Sequence, residues 1–503
     1  MNQNNISAAE LFLRVRELLI LPELEPKTRN KMMHDTLILC CHEGVKETKQ
    51  AFGNLFSQVD YLCKAHGIKV ADKIAIQTMR RHSNSQEPLS SEDLKYDARA
   101  LAIFISAVFG VDVPHELNVL IPHTNRPYQK GLEINNHRIR CIVKNWDSDF
   151  IRVDIDQDAD EEEYLVQLKD EENHIDHTYL WDILKEGMQL NLLDCQVKQP
   201  VITPRLIVVE PDYLVDISSI ATCFTAFGHH PLLYLLNQMK PRANTQATLL
   251  GNFAGAALDD IINTNGKYQM NETIKTNFRE KALEFCTCPW FDAKKFYTDA
   301  SLQAFNLQQV VDILFPRTAS QAQMSAFRGE SLYDRKKAIL EPSFVCEALG
   351  IQGRVDLMTT DCKLLVEQKS GRNMNIETHQ IDPGYHSYQL EPHYVQLLLY
   401  YGVLQHNFKL SNDRVNIRLL YSKYQPQDGL MVVAYYHKLF QEAITYRNQL
   451  VAASFEIAKE GFEHALNEFT PDVLNVAGTQ DFFYNKYLKP QIEAITSPLH
   501  NLT

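Results

Sequence analysis

The chain has 503 residues, of which 45% are hydrophobic and 22% are charged, a composition typical of globular proteins with a sizeable core. Its net charge of −13 excludes bulk attraction as a means of coating nucleic acid, although a local basic channel can lie within an acidic protein. No stretch approaches the roughly 20 apolar residues of a membrane span, and residues 1–12 lack a secretory pattern, so we expect a cytoplasmic protein without a membrane partner.

Residues 1–115 are predicted to form a helical domain. Ser7 and Glu10 have the spacing of a capping box, and an apolar run at helical spacing begins at Leu11. A second, strongly apolar run at 98–109 predicts another helix. Because no catalytic pattern occurs in this part of the chain, we expect a helical scaffold or docking domain.

Residues 116–205 are predicted to form a small β-rich, barrel-like domain. The segments 138–144 and 149–155 alternate apolar and polar residues in the manner of half-buried strands, with a turn between them. The acidic run at 154–163 is typical of a solvated hairpin tip. Strand-like segments at 189–197 and 205–209 complete the pattern.

Residues 206–503 are predicted to form one mixed α/β domain. Helices are indicated at 235–263, 392–406 and 436–466, and strands at 417–424 and 430–434. The intervening segment 341–370 is rich in strand-forming side chains. This combination is typical of a sheet flanked by helices.

The segment 353–371 predicts a β-hairpin that carries charged side chains. Glu367 and Lys369 lie two apart on the second strand and therefore share one face of the sheet. With a two-residue turn, Asp356 pairs with Leu365 and lies on that same face, diagonal to Glu367. A loop of any even length preserves this arrangement, whereas an odd length reverses it.

This group of side chains suits phosphodiester hydrolysis. Asp356 and Glu367 can bind Mg²⁺ or Mn²⁺, which prefer oxygen ligands, and the backbone carbonyl of Gln368 can supply another oxygen. A bound metal lowers the pKa of its water and neutralises charge on the phosphate. Lys369 can orient or deprotonate that water and stabilise the transition state.

The acid-x-Lys pattern carries little information by itself. It also occurs at Asp93-Leu-Lys95 and at Asp361-Cys-Lys363, where it is typical of surface charge. Glu367-Gln-Lys369 differs because it ends the apolar strand that begins at Leu364, with an aspartate of matching phase upstream. The candidate site therefore depends on this context.

A second group lies on the predicted helix at 392–406. Gln396 and Tyr400 are four residues apart and so lie on one helical face, while Val395 and residues 397–399 can pack the helix into the core. The amide and the hydroxyl can point back at the hairpin and hold the lysine or a phosphate. In isolation, the pattern favours an ordinary amphipathic helix.

These groups together resemble the successive motifs of RecB-like PD-(D/E)XK nucleases. The motifs are Gly350-Ile-Gln-Gly-Arg-Val-Asp356, Glu367-Gln-Lys369-Ser-Gly371 and Gln396-x-x-x-Tyr400. The similarity is greatest to the nuclease region of bacterial nuclease-helicases of the Okazaki-fragment-processing type. It covers residues 250–405, with looser similarity at 207–215 and 487–491.

The resemblance implies a restriction-endonuclease-like core, a mixed sheet flanked by helices. It implies that Asp356 and Glu367 are metal carboxylates and that Lys369 is the catalytic lysine. Gln396 and Tyr400 would form the accessory, substrate-binding motif.

One departure concerns a metal-binding histidine that the family usually places on an upstream helix. The family pattern is Gly-Asn-x-x-His-x-x-Leu-Glu. Residues Gly251 to Asp259 fit this pattern in outline, but Gly255 occupies the histidine position. Asp259 lies one turn further along on the same face and can replace the missing ligand, although a plain surface aspartate is the other interpretation.

Two further departures concern cofactors and partners. Many relatives hold an iron–sulfur cluster through one upstream and three downstream cysteines, but no cysteine follows Cys362 here, so we expect no cluster. The G-x-x-x-x-G-K-[ST] phosphate loop of a helicase motor is absent as well. We therefore expect either the amino-terminal part of a nuclease-helicase or a stand-alone nuclease, with a helicase motor on the same or another chain as a candidate partner.

The resemblance implies a metal-dependent DNA nuclease that acts on single-stranded ends or flaps in DNA repair, replication or defence. Gly255 keeps an alternative open, a catalytically inactive DNA-binding or loading module with a nuclease fold. The basic residues Arg328 and 335–337 are typical of a solvated helix face, with phosphate contact as the other interpretation.

Overall fold

The computed structural model describes residues 6–21, 23–48, 52, 54–85, 88–126, 137–155, 163–225, 228–239, 244–264, 267–381, 388–410 and 414–461, and positions 485, 489, 490 and 493. The chain divides into two compact units, residues 1–213 and 214–503. Within the described ranges, no helix combines the length and apolar character needed to cross a lipid bilayer.

The first unit begins with helices, as predicted. They are α1 (Ala8–Ile20), α2 (Pro26–Gly44), α3 (Leu55–Ala65), α4 (Val70–Asn84), α5 (Ser91–Phe109) and α6 (His115–Asn118). At the start of α1, the Ser7 hydroxyl accepts a hydrogen bond from the backbone N–H of Glu10 at 3.3 Å. The Glu10 carboxylate pairs with Arg14 at 3.1 Å, so the predicted capping box is only half formed.

The same unit continues into strands. They are β1 (Arg138–Trp146), β2 (Phe150–Ile155), β3 (Tyr164–Gln167), β4 (Lys169–Asp170), β5 (Ile175–Asp176), β6 (Gln189–Leu193), β7 (Gln196–Lys198), β8 (Val201–Thr203) and β9 (Leu206–Val209). β1 runs further than predicted, so its turn to β2 lies at 147–149. Most of the predicted acidic tip, positions 156–162, lies outside the described residues.

Seven of these strands form one sheet, in the order β7-β8-β3-β2-β1-β6-β9. The strands at its two edges, β7 and β9, are not paired with each other in the described residues. The sheet is therefore not closed by hydrogen bonds into the expected barrel. β9 pairs with β6 along its whole length. The β-rich region therefore extends past the predicted boundary at residue 205, and the first unit ends at Tyr213.

The second unit mixes helices and strands. The helices are α7 (Ile217–Ala221), α8 (Leu232–Met239), α9 (Gln246–Asn263), α10 (Met270–Glu280), α11 (Ala282–Cys286), α12 (Ala293–Leu314), α13 (Ala319–Phe327), α14 (Met374–Thr378), α15 (Glu391–Phe408), α16 (Pro426–Gly429) and α17 (His437–Glu460). The strands are β10 (Val215–Asp216), β11 (Phe224–Thr225), β12 (Gly228–His229), β13 (Ala338–Leu340), β14 (Ser343–Cys346), β15 (Ile351–Arg354), β16 (Leu357–Thr359), β17 (Leu364–Lys369), β18 (Asn416–Tyr421) and β19 (Leu430–Val432). The predicted mixed α/β class is confirmed.

The central sheet has the order β13-β16-β17-β18-β19. β17 and β18 run parallel, and the other neighbours are antiparallel. Leu364 and Val366 of β17 pack into the core formed with α9 and α12. Because side chains alternate along a strand, Leu365, Glu367 and Lys369 project to the opposite face, where α15 lies.

A smaller sheet leads into this hairpin. Its strand β15 lies between β10, which runs parallel to it, and β14, which runs antiparallel. At the start of β15, Gly350 adopts a positive φ of 60°, and the buried guanidinium of Arg447 occupies the space that a Cβ would need. Arg447 Nε donates to the Gly350 carbonyl at 3.1 Å. This packing fixes the segment that delivers Asp356.

Candidate active site

The predicted hairpin forms with a longer loop than expected. Leu357 lies opposite Val366, and Met358 lies opposite Leu365. The loop at 360–363 thus has four residues instead of two. The predicted pairing of Asp356 with Leu365 is wrong, but an even loop length keeps the strand faces as predicted.

Asp356 lies between β15 and β16 and not within a strand. Its Oδ2 accepts a hydrogen bond from the backbone N–H of Gln368 at 2.5 Å, which brings the carboxylate next to Glu367 in the neighbouring strand. Burial raises the pKa of Asp356, although this hydrogen bond and the charge of Lys369 oppose the shift. Asp356 and Glu367 therefore converge, as the sequence predicted.

Glu367 is a buried carboxyl with one unused oxygen. Only 2% of the residue is exposed, and Oε1 accepts a hydrogen bond from Lys369 Nζ at 2.7 Å. Oε2 has no hydrogen-bond partner within the described part of the chain. Burial and then the negative charge of Asp356 raise the pKa of Glu367 to about 8. Such a group is costly unless a cation or a proton satisfies it.

Lys369 links the hairpin to the helix that follows. Its Nζ donates to Glu367 Oε1 at 2.7 Å and to Gln396 Oε1 at 2.8 Å. An ammonium has three N–H donors, so one remains beyond these two bonds. Because the side chain is 21% exposed, a substrate can reach it. The predicted contact between Gln396 and the lysine is present.

Tyr400 lies next to Gln396 on the face of α15 that points at the hairpin. Its hydroxyl donates to the backbone carbonyl of Arg354 at 2.6 Å, and burial raises its pKa above the usual value. A Cβ on Gly353 would lie 2.9 Å from the Tyr400 ring. Tyr400 therefore holds the strand before Asp356, and its predicted role as a substrate contact stays a prediction.

Asp259 lies on α9, within electrostatic range of Asp356. Burial, then the charges of Glu341, Asp260 and Asp356, raise the pKa of Asp259 to about 7. Gly255, one turn earlier, has open space where a side chain would be, since no atom of the described residues lies within 4 Å of a Cβ built there. The helix that the histidine pattern predicted is present, and it brings Asp259 into the field of Asp356.

Glu341 is a residue near the site that the sequence did not single out. Its backbone N–H donates to the Asp356 carbonyl at 3.0 Å, and its carboxylate pairs with Arg354 at 3.1 Å. Glu341 lies in the connection between β13 and β14 with a positive φ of 48°. No motif spacing marks it, because it reaches Asp356 only through the fold.

Two of the remaining predicted residues, Gln368 and Arg335, use their side chains away from the candidate site. The Gln368 side chain lies on the opposite face of β17 and donates to the Ser422 hydroxyl at 2.7 Å, so only its backbone lies near Asp356. Arg335 Nε donates to the Ile262 carbonyl at 2.6 Å at the end of α9. Arg335 therefore caps a helix, and neither earlier interpretation of this basic residue describes that role. Positions 487, 488 and 491 of the segment 487–491 lie outside the described residues.

The carboxyl pair fits a hard divalent cation. Within the described residues, no three His, Cys, Asp or Glu side chains are arranged closely enough to form a ready metal site. The fit therefore rests on Glu367 Oε2, a buried oxygen without a partner, and on the adjacent Asp356 carboxylate. Both are oxygen donors of the kind that Mg²⁺ and Mn²⁺ prefer.

Comparison of the whole chain with protein-family models and with curated proteins finds no match.

Proposed function

We propose that this chain is a divalent-metal-dependent DNA nuclease that hydrolyses phosphodiester bonds. The observation that carries the proposal is the pairing of Glu367 with Lys369: a buried carboxyl keeps one oxygen free while the other holds an ammonium. Asp356 adds a second carboxylate beside it. Two acids and a lysine at this position suit charge stabilisation at a phosphate.

The order of elements supports a PD-(D/E)XK core. α9 and α12 cover one face of the central sheet, strands β13, β16 and β17 are antiparallel, and α15 leads to β18, which is parallel to β17. This is a mixed sheet flanked by helices, with the acidic residues on the hairpin. Its charged face is turned towards α15, which carries Gln396.

The residues divide the chemistry between them. Asp356 and Glu367 would hold the cation, with Asp259 and the Gln368 carbonyl as further oxygen donors. When bound, the cation supplies charge neutralisation and a water of lowered pKa. Lys369 directs its remaining N–H at the phosphate oxygen on which negative charge builds, and Gln396 keeps the ammonium in that position.

The substrate that fits this proposal is a DNA strand end or a single-stranded flap, in repair, replication or defence. A helicase motor, on the same polypeptide or on another, is the partner we propose. The net charge of −13 favours a substrate held by local contacts over one held by bulk charge.

Cleavage of end-labelled single-stranded and flap DNA tests the proposal. We expect cleavage with Mg²⁺ or Mn²⁺ and none in a chelator, and we expect Lys369→Ala to lower kcat by about 10²–10⁴-fold. Lys363→Ala is the matched control, because Lys363 belongs to an exposed acid-x-Lys pattern on the same hairpin. Undiminished cleavage by Lys369→Ala, with intact folding, would overturn the assignment.

A second candidate is a DNA-binding or loading module that has lost catalysis. The observation in its favour is Gly255, an empty position where the family has a metal ligand. A titration with Mn²⁺ separates the two candidates. The module would bind DNA but show no turnover at saturating Mn²⁺, whereas the nuclease would reach a plateau of activity.

A further inference from the structure

A cavity of about 700 Å³ opens beside Lys369 and Gln396. We propose that it is a subsite for one unpaired nucleobase of a bound DNA strand, an inference that rests on the nuclease function proposed above. The volume lies within the range of roughly 300–1,000 Å³ that is typical of small-molecule sites. We call it the Gln389 cavity, after the residue on its wall that has an unsatisfied polar atom.

One wall of the Gln389 cavity is apolar. Its accessible part is formed by Leu390 and Pro392, which are half-buried, and behind them lie the buried side chains of Phe224, Leu233 and Leu236. A nucleobase presents a flat apolar face that such a wall can cover. The apolar wall and the catalytic lysine border the same cavity, so a base seated here lies close to the phosphate at the reacting centre.

Gln389 gives the cavity an unused hydrogen-bond acceptor. The residue is 3% exposed, and its Oε1 has no hydrogen-bond partner among the described residues. A buried carbonyl oxygen left in this state is costly, so a ligand N–H that reaches it is favoured. Every nucleobase has an N–H donor on its pairing edge, and in a duplex the opposite base uses it. The acceptor therefore selects a base that is unpaired.

His393 gives the same cavity a hydrogen-bond donor. The Tyr421 oxygen accepts the backbone N–H of Leu390 at 3.0 Å and lies 3.0 Å from His393 Nδ1, so the phenol can donate its own hydrogen to Nδ1 in one tautomer of the ring. The hydrogen of the neutral imidazole is then on Nε2. Burial and the charge of Lys369 lower the pKa of His393 to about 3, so the ring is neutral and donates without adding charge.

The acidic residue on the rim, Glu391, is partly neutralised by a histidine. Glu391 Oε2 accepts a hydrogen bond from His229 Nε2 at 2.6 Å, and Glu442 accepts from the other ring nitrogen at 2.7 Å. Burial opposes protonation of His229, but the hydrogen bonds and charges of Glu391 and Glu442 raise its pKa to about 9. The imidazolium is shared by Glu391 and Glu442, so it neutralises one of the two negative charges of this group.

Binding of the full chain to two labelled oligonucleotides in EDTA tests the subsite. One is an oligothymidylate, and the other has the same backbone with abasic units. We expect the wild type to bind the abasic strand about tenfold more weakly, and Gln389→Met to bind both strands alike. Gln308→Met is the matched control, because Gln308 lies on α12 and contacts Asp312 at 3.1 Å. It should discriminate as the wild type does.

A second variant tests the apolar wall. Leu236→Phe fills the cavity without removing a hydrogen-bonding group, and we expect it to lose the same discrimination. Equal binding of the two strands by the wild type, or tenfold discrimination that persists in both variants, would overturn the subsite.

The binding measurement separates the subsite from the nuclease function. Discrimination without cleavage at any metal concentration would retain the subsite and reject the nuclease. Metal-dependent cleavage without discrimination would reject the subsite alone. Where both hold, Gln389→Met should raise KM for single-stranded DNA about tenfold and leave kcat nearly unchanged.

Discussion

The hydroxyl of Tyr400 donates a hydrogen bond to the backbone carbonyl of Arg354 at 2.6 Å, across 46 positions of the chain. The contact fixes α15 against the strand that precedes Asp356. Gln396, one turn before Tyr400 on the same helix, is fixed with it and reaches Lys369. The position of the Lys369 ammonium therefore depends on how closely the Tyr400 ring can approach the neighbouring backbone.

Gly353→Ala should disturb this approach. A Cβ at Gly353 would lie 2.9 Å from the Tyr400 ring, so the ring must move and Gln396 moves with it. We expect about 1–3 kcal/mol lower stability and a lower kcat. Thermal unfolding and DNA cleavage measure the two effects. Gly371→Ala is the control, because no atom lies within 4 Å of its Cβ, and equal effects of the two substitutions would contradict the prediction.

Gln396→Met should lower kcat more than it changes KM. The substitution removes the acceptor that holds Lys369 Nζ at 2.8 Å, while the volume of the side chain is nearly kept. We expect a loss of about 10–100-fold in kcat from single-turnover cleavage rates. Gln396→Glu keeps an acceptor oxygen and should retain more activity than Gln396→Met. The reverse order would contradict a positioning role.

Gly255→His should strengthen metal binding. The position has open space, and an imidazole one turn from Asp259 adds a ligand suited to Mn²⁺ and its neighbours. We expect about tenfold tighter Mn²⁺ binding by calorimetry. Asp259→Asn in the wild type should weaken binding by a similar factor. Unchanged affinity in Asp259→Asn would show that Asp259 does not replace the missing histidine.

The stability of the metal-free protein should depend on Glu367. Burial and the charge of Asp356 raise the pKa of Glu367 to about 8, so between its usual value near 4.3 and pH 8 the folded chain keeps a proton that the unfolded chain releases. The free energy of unfolding therefore falls as pH rises through this window.

Glu367→Gln removes that titration. Between pH 5 and pH 8 the free energy of unfolding of the wild type should fall by at least about 1 kcal/mol more than that of the variant. Urea unfolding in EDTA at the two pH values measures the difference. The dependence that remains comes from Asp356 and Asp259, whose pKa values are also raised. Identical pH dependence in both proteins would be inconsistent with a buried acidic Glu367.

The periodicity of strands and helices in the sequence predicted which side chains of the candidate site share a face. Glu367 and Lys369 share a face because strand side chains alternate, and Gln396 and Tyr400 share a face because four residues complete about one helical turn. Both relationships are present in the folded chain. The helices at the amino terminus and the α/β character of the second unit also follow from such patterns.

Local periodicity could not give the loop length of the hairpin. Asp361 and its neighbours are compatible with a short turn, but the loop has four residues, since the pairing of Leu357 with Val366 is set by core packing. The prediction that Asp356 and Glu367 lie on one face still holds, because the predicted loop was two residues too short and two residues are one full period of a strand.

What the sequence determined by itself was thus which side chains share a face within one element, since that depends only on the repeat of a strand or a helix. The tertiary structure alone decided which elements meet. It placed Asp356 against the Gln368 backbone, left Glu367 Oε2 without a partner among the described residues, and put Gln389 and His393 on one cavity with Lys369. These contacts join segments that are far apart in the chain, and burial between them sets the charges on which the proposed chemistry depends.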